Sequence, residues 1–169
     1  MTGVSGLRCV LGVNNCWAVK RYVEPEEWVE ITATEFDVDY VQFSFDILDP
    51  RTEKLALDQI VSRTLDCCMK YGIKIHSCFT GLAAYSYNLL LHPDFVMRKD
   101  AVDWYEKALI LAAKLKSEAV GGHMGAFSMS DFRNQKRRSF LTLNFLEILK
   151  HLSFLGKRLG LKYLLWEPM

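Results

Sequence analysis

The sequence predicts an α/β fold built on a parallel sheet that is buried on both faces. Two observations carry this expectation. Strand-like and helix-like patterns alternate along the chain in the order β-α-β-α-β-α-β-α-β. The strand-like runs are apolar throughout instead of alternating, which suits strands with packed side chains on either side. Two architectures fit, an open doubly wound sheet and a (β/α)8 barrel. No G-x-G-x-x-G follows the first strand, so a dinucleotide fold has no direct support. No short repeat and no low-complexity linker divides the chain, so residues 1–169 are read as one domain.

The elements follow in order. "LRCVLGV" (7–13) is a short apolar run, the first strand. "PEEWVEITATEF" (25–36) opens with Pro25, a favoured first helical residue, and places carboxylates in the first turn. "DYVQFSF" (39–45) is rich in strand formers and is closed by Asp46 and the breaker Asp49-Pro50. Residues 53–72 carry apolar side chains at 57, 60, 61, 65 and 68, a helical spacing that Gly72 can cap. "IKIHSCF" (73–79) is the third strand. Residues 98–117 set Ala101, Trp104, Ala108, Leu111 and Leu115 on one helical face. "EAVGGHMG" (118–125) is a glycine-rich strand. Residues 139–160 form the clearest helix, with the stripe Leu141, Phe145, Leu149, Leu152 and Leu159, basic residues in its last turn and Gly160 at its end. "LKYLLW" (161–166) is the fifth strand.

Composition narrows the function classes. The 169 residues are 50% hydrophobic and 24% charged with a net charge of +1, so no strong field draws the chain to nucleic acid or membrane. No apolar run approaches the roughly 20 residues of a membrane span, and the first residues do not read as a signal peptide. The five cysteines are an odd number, and Cys67-Cys68 are neighbours in a helical pattern. They read as reduced thiols in a cytoplasmic protein.

In both candidate architectures, functional groups gather at the C-terminal ends of the strands. Asn14, Asn15 and Trp17 follow the first strand, and Asp46 follows the second. His76 and Ser77 sit in the third, His123 ends the fourth, and Glu167 follows the fifth. The expectation is one pocket in which His76, His123 and Glu167 converge at one end of the sheet. Each residue also has a plainer reading. A histidine at a strand end is often a hydrogen-bonded structural group, Asp46 can cap the turn before Pro50, and Trp17 and Phe79 can be core. Glu167 resists such a reading, because a carboxylate directly after an apolar run is costly to bury without a partner or a metal.

"IHSCFTG", "GGHMGAFS" and "LLWEPM" resemble successive strand ends of the xylose-isomerase-like TIM-barrel superfamily. That group includes sugar and sugar-phosphate isomerases and epimerases and the metal-dependent apurinic endonucleases. "NNCWAVKRYVEPEEWVEI" and "VQFSFDILDP" resemble the first two strands of the sugar-phosphate branch, near the tetrulose-phosphate epimerases of erythritol breakdown. The resemblance spans nearly the whole chain and implies a (β/α)8 barrel, of which about the first five strands and four helices are present. It implies that Glu167 is a metal ligand and acid/base group. By the same resemblance, His76 and His123 line the substrate pocket; Asn14, Trp17 and Asp46, read from their places at the strand ends, are expected beside them. The cation would be Mn2+, Mg2+, Co2+ or Zn2+, completed in that superfamily by an Asp, a His and a Glu from strands six to eight.

The preferred function is a metal-dependent sugar or sugar-phosphate isomerase or epimerase working through an enediolate. The alternatives are an endonuclease or phosphodiesterase of the apurinic branch and a non-catalytic half-barrel. A nuclease should present a broad basic surface. Here the one dense basic run is Arg133, Lys136, Arg137 and Arg138, read mainly as a solvated helix start and otherwise as a phosphate holder. Expected partners are a small sugar or sugar phosphate, with neither membrane nor nucleic acid, and either a homo-oligomer or a missing C-terminal half. Five strands cannot close an eight-stranded barrel, so the fifth is expected to be an open edge of a barrel of roughly 250–300 residues.

Overall fold

The computed structural model describes residues 10–167. Five parallel strands stand in sequence order: β1 Gly12–Asn14, β2 Tyr40–Ser44, β3 Lys74–Phe79, β4 Ala119–His123 and β5 Tyr163–Glu167. Helices α1 Pro25–Thr34, α2 Lys54–Tyr71, α3 Phe95–Lys114 and α5 Gln135–Arg158 connect them, and a short α4 Met129–Arg133 precedes α5. The sequential strand order is that of a barrel and excludes the doubly wound alternative, whose order must reverse. Both β1 and β5 are edges of this sheet.

Local chemistry explains most element boundaries. Pro25 is the first helical residue of α1, with Glu26 and Glu27 in its first turn. Glu53 caps α2 through the Leu55 and Ala56 amides, and Gly72 ends it at φ +74°, a backbone angle that glycine adopts without strain. Two boundaries move from the expected places. α3 starts at Phe95 because Asp94 accepts from the Val96 and Met97 amides. α5 starts at Gln135 because Asn134 caps it through the Arg137 amide. The first strand was expected from Leu7. It is seen over Gly12–Asn14, and residues 7–9 lie outside the described range.

The core fills the layer between sheet and helices. Val41, Phe43, Ile75, Cys78 and Val120 are buried from the sheet, against Trp28 and Val29 of α1, Leu57 and Val61 of α2, Ala108 and Leu109 of α3, and Leu141 and Leu152 of α5. The expected helical faces are the buried ones, Ile60, Leu65, Trp104, Leu149 and Leu159 being only partly covered. The opposite sheet face carries polar side chains from β1, β2 and β3. The Asn14 amide donates to Gln42 Oε1 at 2.8 Å, and Gln42 Nε2 donates to Ser77 Oγ at 3.2 Å. These bonds place β1, β2 and β3 side chains on one shared face.

No helix among the described residues is long and apolar enough to cross a membrane. Cys16, Cys67, Cys68 and Cys78 form no disulfide, and Cys9 lies outside the described residues.

Candidate active site

The site is built where β4 meets β5. Trp166 lies against Phe145 of α5, ring centroids 5.5 Å apart, so it belongs to the helix-covered face. Strand alternation then turns Glu167 to the opposite face. In the parallel register His123 stands directly beside Glu167. The His123 backbone is fixed on both sides: its amide donates to Thr80 Oγ1 at 3.0 Å, and its carbonyl accepts from the buried Tyr105 hydroxyl. The imidazole is fully buried, yet neither ring nitrogen has a hydrogen-bond partner. A buried polar group of this kind ordinarily finds a partner, so two unmet nitrogens on one ring mark a place prepared for something else.

A third group completes the cluster. Tyr85, on the 3-10 turn Leu82–Ser86 after β3, stacks on the His123 ring with centroids 5.4 Å apart and planes 14° apart. Its hydroxyl donates to Glu167 Oε2. That bond, then partial burial, raises the phenol to about 12, so it keeps its proton at neutral pH. Sequence reasoning missed Tyr85. It sits in "TGLAAYSYNLL", a stretch with no period, and its only signal was an aromatic residue in a long connection on the functional side of a strand.

The structure brings only some of the expected residues together. His76 is the principal correction. Val41 pairs with Ile75 but Gln42 pairs with Ser77, so His76 is the extra residue of a β-bulge. It is exposed, and its carbonyl accepts from the Glu118 amide at the start of β4. Five residues separate Glu118 from His123, so at about 3.3 Å per residue His76 lies roughly 16 Å from the Glu167 level. The expected convergence of His76 with His123 and Glu167 is therefore not formed.

Asp46 does not cap its own turn. Its carboxylate accepts from the Leu82 amide at 2.8 Å and anchors the loop that carries Tyr85. Asn14 caps the 3-10 turn Asn15–Ala18 through the Cys16 amide. Asn15 is fully buried and accepts from the Ser44 amide at 2.7 Å, pinning that turn to β2. Trp17 packs edge-on against Phe36 at 5.0 Å and beside Tyr22 at 5.8 Å, its indole N–H buried without a partner. Phe79 is partly buried and registers with Gly121.

Two of the four residues of the basic run, Arg137 and Arg138, are bonded within the protein. Arg137 donates to Asp131 at 2.9 Å and to the Pro93 carbonyl, and Arg138 donates to the Phe132 carbonyl. Among the described residues no group of three or more His, Cys, Asp or Glu side chains comes together to hold a metal. His123 and Glu167 supply two donors at most, so these residues by themselves do not fit a resident cation.

Comparison with known proteins places this geometry. No protein-family profile matches the chain. A Rhodospirillum rubrum protein assigned as a xylose isomerase has a crystal structure that superposes with a TM-score of 0.90 at 31% identity, over 95% of this chain and 54% of that one. Over nearly its whole length the chain is similar to a xylose-isomerase-like structure. The D-psicose 3-epimerase of Clostridium cellulolyticum, solved with D-tagatose, shares the fold at a TM-score of 0.66 and 18% identity, over 89% of this chain and 49% of that one. The D-erythrulose 1-phosphate 3-epimerase of Brucella abortus is 24% identical over 159 residues, 94% of this chain and 51% of that protein. The chain thus spans about half the length of the relatives it matches. Its five parallel strands and their helices match about half of a TIM-barrel neighbour.

Proposed function

We propose that this chain supplies the Glu167 half of the active site of a sugar or sugar-phosphate isomerase or epimerase, as an N-terminal part of a (β/α)8 barrel in the cytoplasm. The observation that carries the reading is the pairing of a half-buried carboxylate with a buried imidazole, whose nitrogens are unmet, at the C-terminal end of adjacent parallel strands. Likeness to a xylose-isomerase-like structure over 95% of the chain supports it, as does the likeness to a tetrulose-phosphate epimerase over 94% of the chain.

The chemistry follows from the two groups. Isomerising or epimerising a ketose removes a proton from carbon beside a carbonyl, and a carboxylate held at a strand end can accept it. His123 presents nitrogen to a hydroxyl or carbonyl oxygen of the same substrate. Asn14 and Gln42 lie on the same sheet face but register with Ala119, four residues before His123, so they stand apart from the pair. A divalent cation, when bound, would polarise the substrate oxygens and steady the enediolate charge. Glu167 would be this chain's ligand to Mn2+, Mg2+, Co2+ or Zn2+, with the remaining donors and the second acid/base group from strands beyond β5. The endonuclease alternative loses its main support, since Arg137 and Arg138 are bonded internally.

The test is binding of D-erythrulose 1-phosphate and of free ketoses to the 169-residue chain, followed by NMR. The expected shifts centre on His123 and Glu167 and vanish in Glu167→Gln. Binding centred elsewhere, or none with any ketose, would refute the assignment.

A further inference from the structure

The loop that carries Tyr85 is fixed at its ends and free in its middle. At one end the Leu82 amide is held by Asp46. At the other, the Leu90 amide donates to the Met124 carbonyl and Asn88 Nδ2 donates to the Ala126 carbonyl at 2.7 Å. Between these pins Leu82 and Tyr87 are 76% and 61% exposed, and the backbone bonds are short local ones, Ala84 to Gly81 and Tyr87 to Ala84. A span with few buried apolar contacts and pinned ends opens locally at low free energy. Within it, Tyr85 alone reaches both members of the candidate pair, its ring on His123 and its hydroxyl on Glu167.

We propose that Tyr85 is a gate over this pair, and that its hydroxyl stands on Glu167 where a hydroxyl of a polyol ligand goes. The His123 nitrogens point the same way. They are buried without a protein partner, so the closed state leaves their hydrogen-bonding capacity unused. A flat aromatic ring offers them nothing, whereas a polyhydroxylated ligand in its place would meet both the imidazole and the carboxylate. Displacement of Tyr85 therefore exchanges one hydrogen bond and one stack for several hydrogen bonds. The ligand half of the proposal rests on the sugar reading above; the gate half does not.

Two measurements separate them. Carbethoxylation of His123 by diethyl pyrocarbonate, located by peptide mass, reads whether the ring is shielded; His76, which is exposed, is the internal control. In Tyr85→Ala, which loses the stack as well as the bond, the His123 rate should rise by more than the roughly tenfold expected on losing one hydrogen bond to a charged group. Tyr85→Phe, which keeps the stack and loses the bond, should fall between. Unchanged circular dichroism and an unchanged His76 rate show that the fold persists. A His123 rate in Tyr85→Ala equal to wild type overturns the gate. The second measurement is the affinity for the ketose phosphate used above, which should tighten several-fold in Tyr85→Ala. Loosened or unchanged affinity overturns the hydroxyl-surrogate half. Absence of binding in every form, with a raised His123 rate, overturns the sugar reading and leaves the gate standing.

Discussion

Replacing Gly121 by alanine should weaken the joint on which the site stands, while the same change at Gly156 should strengthen the molecule. At Gly121 of β4 an added Cβ falls 2.1 Å from the Leu165 carbonyl oxygen and 2.4 Å from Leu165 Cβ, where ordinary contact begins near 3.4 Å. These are atoms of β5 at or next to its backbone, so no flexible side chain can yield. The strands must separate at the Gly121–Leu165 pair, two residues before His123 and Glu167. Overpacking typically costs 1–3 kcal/mol, and with rigid neighbours the upper end applies, about 3 kcal/mol. At Gly156 in α5 the nearest atoms to an added Cβ are Leu109 Cδ2 at 3.5 Å and two Leu161 atoms at 3.8 and 3.9 Å, ordinary packing distances. The methyl there fills space and removes the entropy of a helical glycine, a gain of about 1 kcal/mol. For a domain of this size each kcal/mol moves the melting point by roughly 2–4 °C, so Gly121→Ala should melt roughly 6–12 °C lower and Gly156→Ala roughly 2–4 °C higher. Thermal unfolding by circular dichroism reads both, and Trp166 fluorescence reports on β5 directly. Equal melting points for Gly121→Ala and wild type would refute the close approach of β4 to β5.

Two further outcomes follow from buried polar groups. His123→Leu removes a ring whose nitrogens have no partner, so it should raise stability by about 1 kcal/mol in urea titration while abolishing the ketose-phosphate shifts; a destabilised variant would show that the imidazole is a structural group after all. Asp131 is held below the usual carboxylate value of 3.8 first by the Arg137 hydrogen bond and then by Ser128. A lowered folded-state value means that its contribution is complete above pH 3.8 and is lost as pH falls through the folded value. Asp131→Asn should therefore narrow the gap between urea midpoints at pH 7 and pH 3; an unchanged gap would exclude Asp131 from the acid response.

Much of this protein was legible in its sequence, because the signals concerned are local. The 3.6-residue stripes at 57–68, 101–115 and 141–159 fix which helix faces are buried, and apolar runs mark β2 to β5 whatever surrounds them. Pro25 and Gly72 set helix ends through their own backbone preferences. Glu167 and His123 stood out because a polar residue straight after an apolar run must meet something at the strand end. The tertiary structure decided what depends on atoms distant in sequence. His76 left the site because one bulged residue between Ile75 and Ser77 changes the register, and register is set by hydrogen bonds from neighbouring strands that no single strand contains. Asp46 found its donor 36 residues away at Leu82, and Tyr85 found its acceptor 82 residues away at Glu167. A loop has no period to read, so only the packed fold, by carrying residues 82–88 over the ends of β4 and β5, could place a phenol on the carboxylate and its ring on the imidazole.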